Sequence, residues 1–151
     1  MALADLFPDQ LAAGRDHFDK VNAGLGRQAI DSKLLFHGPH AFEQLAASPD
    51  VDLIQISTPP FFHVQHLETA VASGKHVYCE KPVGIDIRQA HQALEIAKRV
   101  KPTQSVDVGF QCRNAPPLAA IAEKIKAGAL GKIASVSGNY WACLLYTSRC
   151  V

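Results

Sequence analysis

At 151 residues the chain is long enough for one compact domain with a real core. With 48% apolar residues, 19% charged residues and a formal net charge of +1, it falls outside the disordered, fibrous and strongly basic classes. Lysines and arginines are scattered among carboxylates without a clustered basic face, and no apolar run approaches the roughly 20 residues that span a bilayer, so neither nucleic acid nor membrane is expected as a partner.

The first element in chain order is the tail of a strand at ALAD, residues 2–5. Pro8 then opens a helix that runs to about Gly24, because proline's fixed φ suits the first turn and glycine suits the end. Residues 33–36 form a second short strand and residues 39–47 a short helix. VDLIQIST, residues 51–58, is the most apolar run of strand length and is expected to be a central strand. From Pro60 to Ser73 the pattern turns helical, with Val64, Leu67 and Val71 on one face and Gly74 as the stop. HVYCE, residues 76–80, is the next strand. Asp86 caps a helix that turns Ile87, Ala90, Leu94 and Ala97 inward, and SVDVGF, residues 105–110, follows as a buried strand. A last helix turns Leu118, Ile121 and Ile125 inward and ends at Gly128. This alternation of strand and helix predicts an α/β fold with a parallel, doubly wound sheet.

KIASVSGNYWA, residues 132–142, begins an extended segment expected to start a further domain. CLLYTSRCV, residues 143–151, fits no element and reads as a non-native tail, like translated sequencing adaptor. Both ends are expected to be truncated, with a first strand upstream of Met1.

Four cysteines, Cys79, Cys112, Cys143 and Cys150, show no CxxC pair and no zinc-like His/Cys spacing. No metal is expected. Free thiols and the absence of a signal-like start in MALADLFPDQ favour the cytoplasm, although a signal upstream of residue 1 would not be visible.

The only Gly-x-Gly candidate, GLGRQA at residues 24–29, follows a helix and precedes a strand, the reverse of the phosphate-binding context, and reads as a helix stop and loop. Asp5 sits where a strand gives way to a helix. A carboxylate there suits adenosine ribose hydroxyls and repels an added phosphate, favouring NAD over NADP, while a loop or capping role is the plainer alternative. STPPFFH, residues 57–63, ends a strand and opens a helix, placing Ser57, Thr58 and Pro59 at the ligand-binding edge of the sheet and His63 on the first helical turn. In CEKPVG, residues 79–84, Glu80 and Lys81 leave a strand together. Lys81 suits the orientation of a hydroxyl or the management of a proton, and Glu80 suits holding that lysine; a surface ion pair is the bland alternative. The Lys81–Pro82 bond is a candidate for the cis form.

Taken together, STPPFFH, HVYCEKPVG, VGFQCRNAPPL and KAGALGKI, in this order and spacing across residues 2–142, resemble the Gfo/Idh/MocA oxidoreductase family. The resemblance implies a partial NAD(P)-binding Rossmann domain over residues 1–131, the start of a C-terminal substrate domain at 132–142, and a homo-oligomeric parent acting on a sugar or polyol. It implies Lys81 as the catalytic-site lysine, with Ser57, Thr58, Pro59, His63 and Glu80 around the nicotinamide half, Asp5 at the adenosine ribose, and Gln111 and Arg113 reaching the cleft. The glycine-rich turn is absent and the family's acid/base histidine would fall beyond Val151, so the fragment itself is expected to be inactive. Two other readings stand beside the dehydrogenase: a relative that cleaves glycosides through transient oxidation by NAD, and a non-enzymatic dinucleotide-binding protein.

Overall fold

Pro8 occupies the first turn of a helix that ends at Gly24, the span its sequence predicts. Beyond it the N–H groups of Gly26 and Arg27 return to the carbonyls of Ala23 and Asn22, and Gly26 takes a φ of 68° that favours glycine. GLGRQA is therefore a helix stop and loop.

The computed structural model describes residues 1–113 and 115–138. They fall into two compact units, the first Met1–Phe110 and the second beginning at Gln111. In the first unit the order is β1 (Leu3–Asp5), α1 (Pro8–Gly24), β2 (Leu35–His37), α2 (Ala41–Ala47), β3 (Leu53–Ile56), α3 (His63–Ala72), β4 (His76–Cys79), α4 (Ile87–Ala97) and β5 (Val106–Val108). Short 3-10 turns precede β2, at Ser32–Leu34, and α3, at Pro60–Phe62. All strand pairs are parallel: β1 with β2, and β3–β4–β5 in that order. The α/β fold with parallel sheets is the one the alternation predicts.

The core gathers on the three-stranded side. Ile56, Val64, Leu67, Ala70, Val71, Val77, Cys79 and Ile96 form one buried cluster, so α3 turns inward the face its spacing predicts. Burying a side chain of this size contributes about 1.5–3 kcal/mol.

Three expectations are corrected. The central strand is β4, which pairs on both sides, whereas β3 is an edge of its sheet. The apolar residues of β3 instead line a cavity of about 670 Å³, across which stand Leu3 and Ala4 of β1. β5 is likewise an edge strand and only half-buried at Val106 and Val108. On α4 the inward residues are Gln89 and Ile96, with Ala93, and Val100 just past the helix end, packed alongside, while Ile87, Ala90, Leu94 and Ala97 are exposed. Two stripes of helical spacing compete on α4, and the one holding a glutamine wins because that glutamine finds backbone partners.

The second unit contains α5 (Pro116–Lys126), and Leu118, Ile121 and Ile125 on it are exposed rather than turned inward, since the unit has no other helix or strand among its described residues to cover them. Residues 132–138 carry no strand. The rest of the segment expected to be extended, and the expected tail at 143–151, lie outside the described residues. None of the described helices is long and apolar enough to cross a membrane.

Candidate functional site

Within the β3–β4–β5 sheet the parallel strands end on one edge, which brings together the residues that follow β3 and β4, while β1 belongs to the other sheet and its end meets that of β3 across a cavity. Asp5 closes β1, Ser57 and Thr58 follow β3, and Glu80 and Lys81 follow β4. A cavity of about 700 Å³ opens on this edge, lined by Asp5, Ser57, Thr58, Pro59, Phe62 and His66 among others. That volume lies within the usual range of small-molecule sites.

Asp5 is half-buried, and its Oδ1 accepts a hydrogen bond from the Phe7 N–H at 2.9 Å. The carboxylate thus helps the chain enter α1 while facing the cavity, so both roles read from the sequence fall on one residue. Ser57 Oγ accepts from Gln55 Nε2 at 3.2 Å. Thr58 Oγ1 lies 3.0 Å from His66 Nδ1, and the His66 ring stacks on Phe42 with centroids 4.2 Å apart. Burial first, and the charge of neighbouring His63 second, hold the pKa of His66 below its ordinary 6.5.

The Glu80 N–H donates to the Ile56 carbonyl at 2.9 Å, which sets the Glu80–Lys81 turn beside the Ser57–Pro59 turn. The Lys81–Pro82 bond is cis. Lys81 is exposed, and no carboxylate among the described residues lies within ion-pair distance of its ammonium. Glu80 does not hold that ammonium; its Oε2 accepts instead from the Lys81 backbone N–H at 3.3 Å. Gly109, just past β5, makes room for this carboxylate, since a Cβ there would fall 2.9 Å from both Glu80 Oε2 and Tyr78 Oη. Cys79, fully buried beneath the turn, has its thiol pKa pushed up to about 11 by burial and then by Glu80, which makes it a core residue rather than a nucleophile.

His63 departs most from its expected place. It begins α3, but its ring is 1% exposed and both nitrogens meet backbone carbonyls: Nδ1 that of Pro82 at 2.7 Å, Nε2 that of Thr58 at 2.6 Å. It is absent from the cavity wall and has no nitrogen left for a ligand. Gln111 and Arg113 are exposed in the turn that opens the second unit. His66, Phe62, Gly109 and Gln89 are the site residues that the sequence reading missed. A second histidine three residues after His63 was the only available signal among them.

A parallel α/β unit whose strands end on a cleft holding an acidic residue after β1 is a dinucleotide-binding architecture of the Rossmann class. The sequence model described as "Oxidoreductase family, NAD-binding Rossmann fold" matches residues 14–108. The chain belongs to that family, Gfo/Idh/MocA. It is 34% identical over 92 residues to the rhizopine catabolism protein MocA of Rhizobium meliloti, covering 61% of this chain and 28% of that protein. With levoglucosan dehydrogenase of Pseudarthrobacter phenanthrenivorans the identity is 33% over 93 residues, covering 61% and 23%. The structure of Lactobacillus casei scyllo-inositol dehydrogenase with NAD(H) and scyllo-inositol superposes with a TM-score of 0.63 at 25% identity, covering 87% of this chain and 34% of that one. The chain thus spans about a quarter to a third of the length of these relatives.

Proposed function

We propose that the protein is the dinucleotide-binding part of an oxidoreductase that moves hydride between NAD and a carbinol carbon of a sugar, polyol or related small molecule. The observation that carries this is the cleft at the carboxyl edge, where Asp5 and the Ser57–Pro59 turn share one cavity and the Glu80–Lys81 turn lies alongside. The relatives named for levoglucosan and inositol dehydrogenase activity support the substrate class.

The residues present fit the adenosine ribose and nicotinamide ends of a dinucleotide. Asp5 has one carboxylate oxygen engaged by Phe7, and the other is available for ribose hydroxyls; its charge disfavours the extra phosphate of NADP. Ser57, Thr58 and Pro59 would line the path toward the nicotinamide, with Glu80 bordering it. The bound nicotinamide would supply the hydride acceptor or donor. Lys81 is the catalytic residue of the proposal: its ammonium, in ion-pair contact with no carboxylate among the described residues, orients the substrate hydroxyl and holds or releases a proton at Nζ. On the same reading residues 1–131 would form the cofactor domain, and the working protein would be a cytoplasmic homo-oligomer.

The test is titration with NAD and NADP, then hydride transfer to a sugar and polyol panel, in the longest chain that carries these residues. NAD should bind more tightly than NADP, and Lys81→Ala should lower turnover by about 10²–10⁴-fold with NAD affinity retained. A folded protein that binds neither dinucleotide would overturn the reading.

A further inference from the structure

Sheet pairing between the two site turns stops at the bond from the Glu80 N–H to the Ile56 carbonyl. Beyond that bond each chain leaves the sheet, and its carbonyls are met by side chains of the following helices. His63, the first residue of α3, reaches Pro82 on one turn and Thr58 on the other, at 2.7 and 2.6 Å. Gln89, on α4 and 6% exposed, makes a second bridge: its Nε2 donates to the Phe61 carbonyl at 3.1 Å and its Oε1 accepts from the Ile85 N–H at 3.0 Å. The backbone N–H of Gln89 is itself fixed by the Asp86 carboxylate at 2.6 Å. Gly84 gives the glutamine its passage, because a Cβ there would fall 2.8 Å from Gln89 Cβ. His63 thus joins residues 58 and 82, and Gln89, from a different helix, joins residues 61 and 85 three residues further along each segment.

We propose that His63 and Gln89 are positioning residues, a two-point brace that sets the spacing between the Ser57–Pro59 turn and the Glu80–Lys81 turn. Neither touches cofactor or substrate. The brace rests on the proposed roles of those turns for its importance, but its geometry is testable without them. Misplacing a reacting group by about 1 Å costs on the order of 100-fold in rate, so a fixed spacing between the two turns has a direct catalytic value. Carbonyl oxygens only accept, and a neutral imidazole donates from one nitrogen. Both contacts of His63 are hydrogen bonds together only when each ring nitrogen carries a hydrogen.

The two ends can be cut separately. An asparagine amide reaches about as far as Nδ1 and a glutamine amide about as far as Nε2. In His63→Asn the bond to Pro82 should survive and the Thr58 side loosen; in His63→Gln the reverse should hold. Residue-resolved hydrogen exchange reads this directly. The Phe62 amide, bonded to the Pro59 carbonyl, should exchange about tenfold faster in His63→Asn, and the Lys81 amide about tenfold faster in His63→Gln. If either variant fails to fold, hydrogen exchange in Gln89→Leu decides the matter, and faster exchange of both the Phe62 and the Lys81 amides is the expected result. Equal loosening of both turns in the two His63 variants, or unchanged exchange of both amides in Gln89→Leu, would overturn the brace. Opposite loosening in a protein that binds no dinucleotide would leave the brace standing and remove the proposed function.

Discussion

The two sides of the first unit are built to different densities. On the β3–β4–β5 side the strands and helices α3 and α4 close around eight buried residues, with Cys79 at 0% and Val77 and Ile96 at 2% exposure. On the β1–β2 side every residue of both strands is half-buried or exposed, and a cavity of about 670 Å³ separates β1 from β3. The site straddles the two: Asp5 comes from the loosely packed side, and Ser57, Thr58, Glu80 and Lys81 from the dense one. A site of this kind has one half whose geometry the core fixes and one half whose geometry depends on how β1 is held.

Truncation on each side tests that contrast most strongly. Ile96→Ala should destabilise the protein by about 2–5 kcal/mol, since the space left in a close-packed cluster collapses only in part. Leu3→Ala, on a half-buried strand beside the cavity, should cost about 1 kcal/mol. Equal losses in urea unfolding of the two variants would break the comparison. An effect smaller than that of Ile96→Ala is expected at the edge of the dense side. Gly109→Ala should cost about 1–3 kcal/mol, because Glu80 and Tyr78 must move to admit the new methyl group; wild-type stability would mean that the Glu80 carboxylate is not confined there.

The smallest effect is electrostatic and belongs to His66, between α2 and the Ser57–Pro59 turn. Its pKa in the folded protein lies below the ordinary 6.5, so below that pH the unfolded chain takes up a proton that the folded chain refuses. The stability contributed by the neutral ring is complete above about pH 6.5 and is lost as pH falls toward the lowered value. His66→Phe, which keeps an aromatic ring against Phe42, should flatten the decline of the unfolding midpoint between about pH 7 and 5. An unchanged decline would show that the ring is not desolvated.

Much of this was legible because it is written locally. Proline at position 8 and glycine at position 24 delimit α1; Asp86 caps α4 through the Gln89 N–H; and the glycines of residues 24–29 follow a helix, which is enough to reject them as a phosphate-binding turn. The candidate site was legible to the extent that parallel strands end on one edge, which places Ser57, Thr58, Glu80 and Lys81 together, whereas the meeting of Asp5 with Ser57 and Thr58 across a cavity between two sheets was decided in three dimensions. Which of two apolar stripes on α4 turns inward was not legible, because both have helical spacing and only Gln89's partner on Phe61, distant in sequence, separates them.

The sequence by itself determined the class of fold, the alternation of its strands and helices and the residues at the strand ends, since hydrophobic period, caps and turn residues act within a few positions. Only the tertiary structure decided that β4 rather than β3 is central, that Glu80 bonds the backbone of Lys81 and not its ammonium, and that His63 points inward. The central place of β4 and the direction of His63 depend on partners supplied by other segments, and the Glu80 carboxylate lies where Gly109, at the end of another strand, leaves room for it. A side chain's direction is set by the acceptors and voids it meets there, which its own neighbours in sequence do not specify.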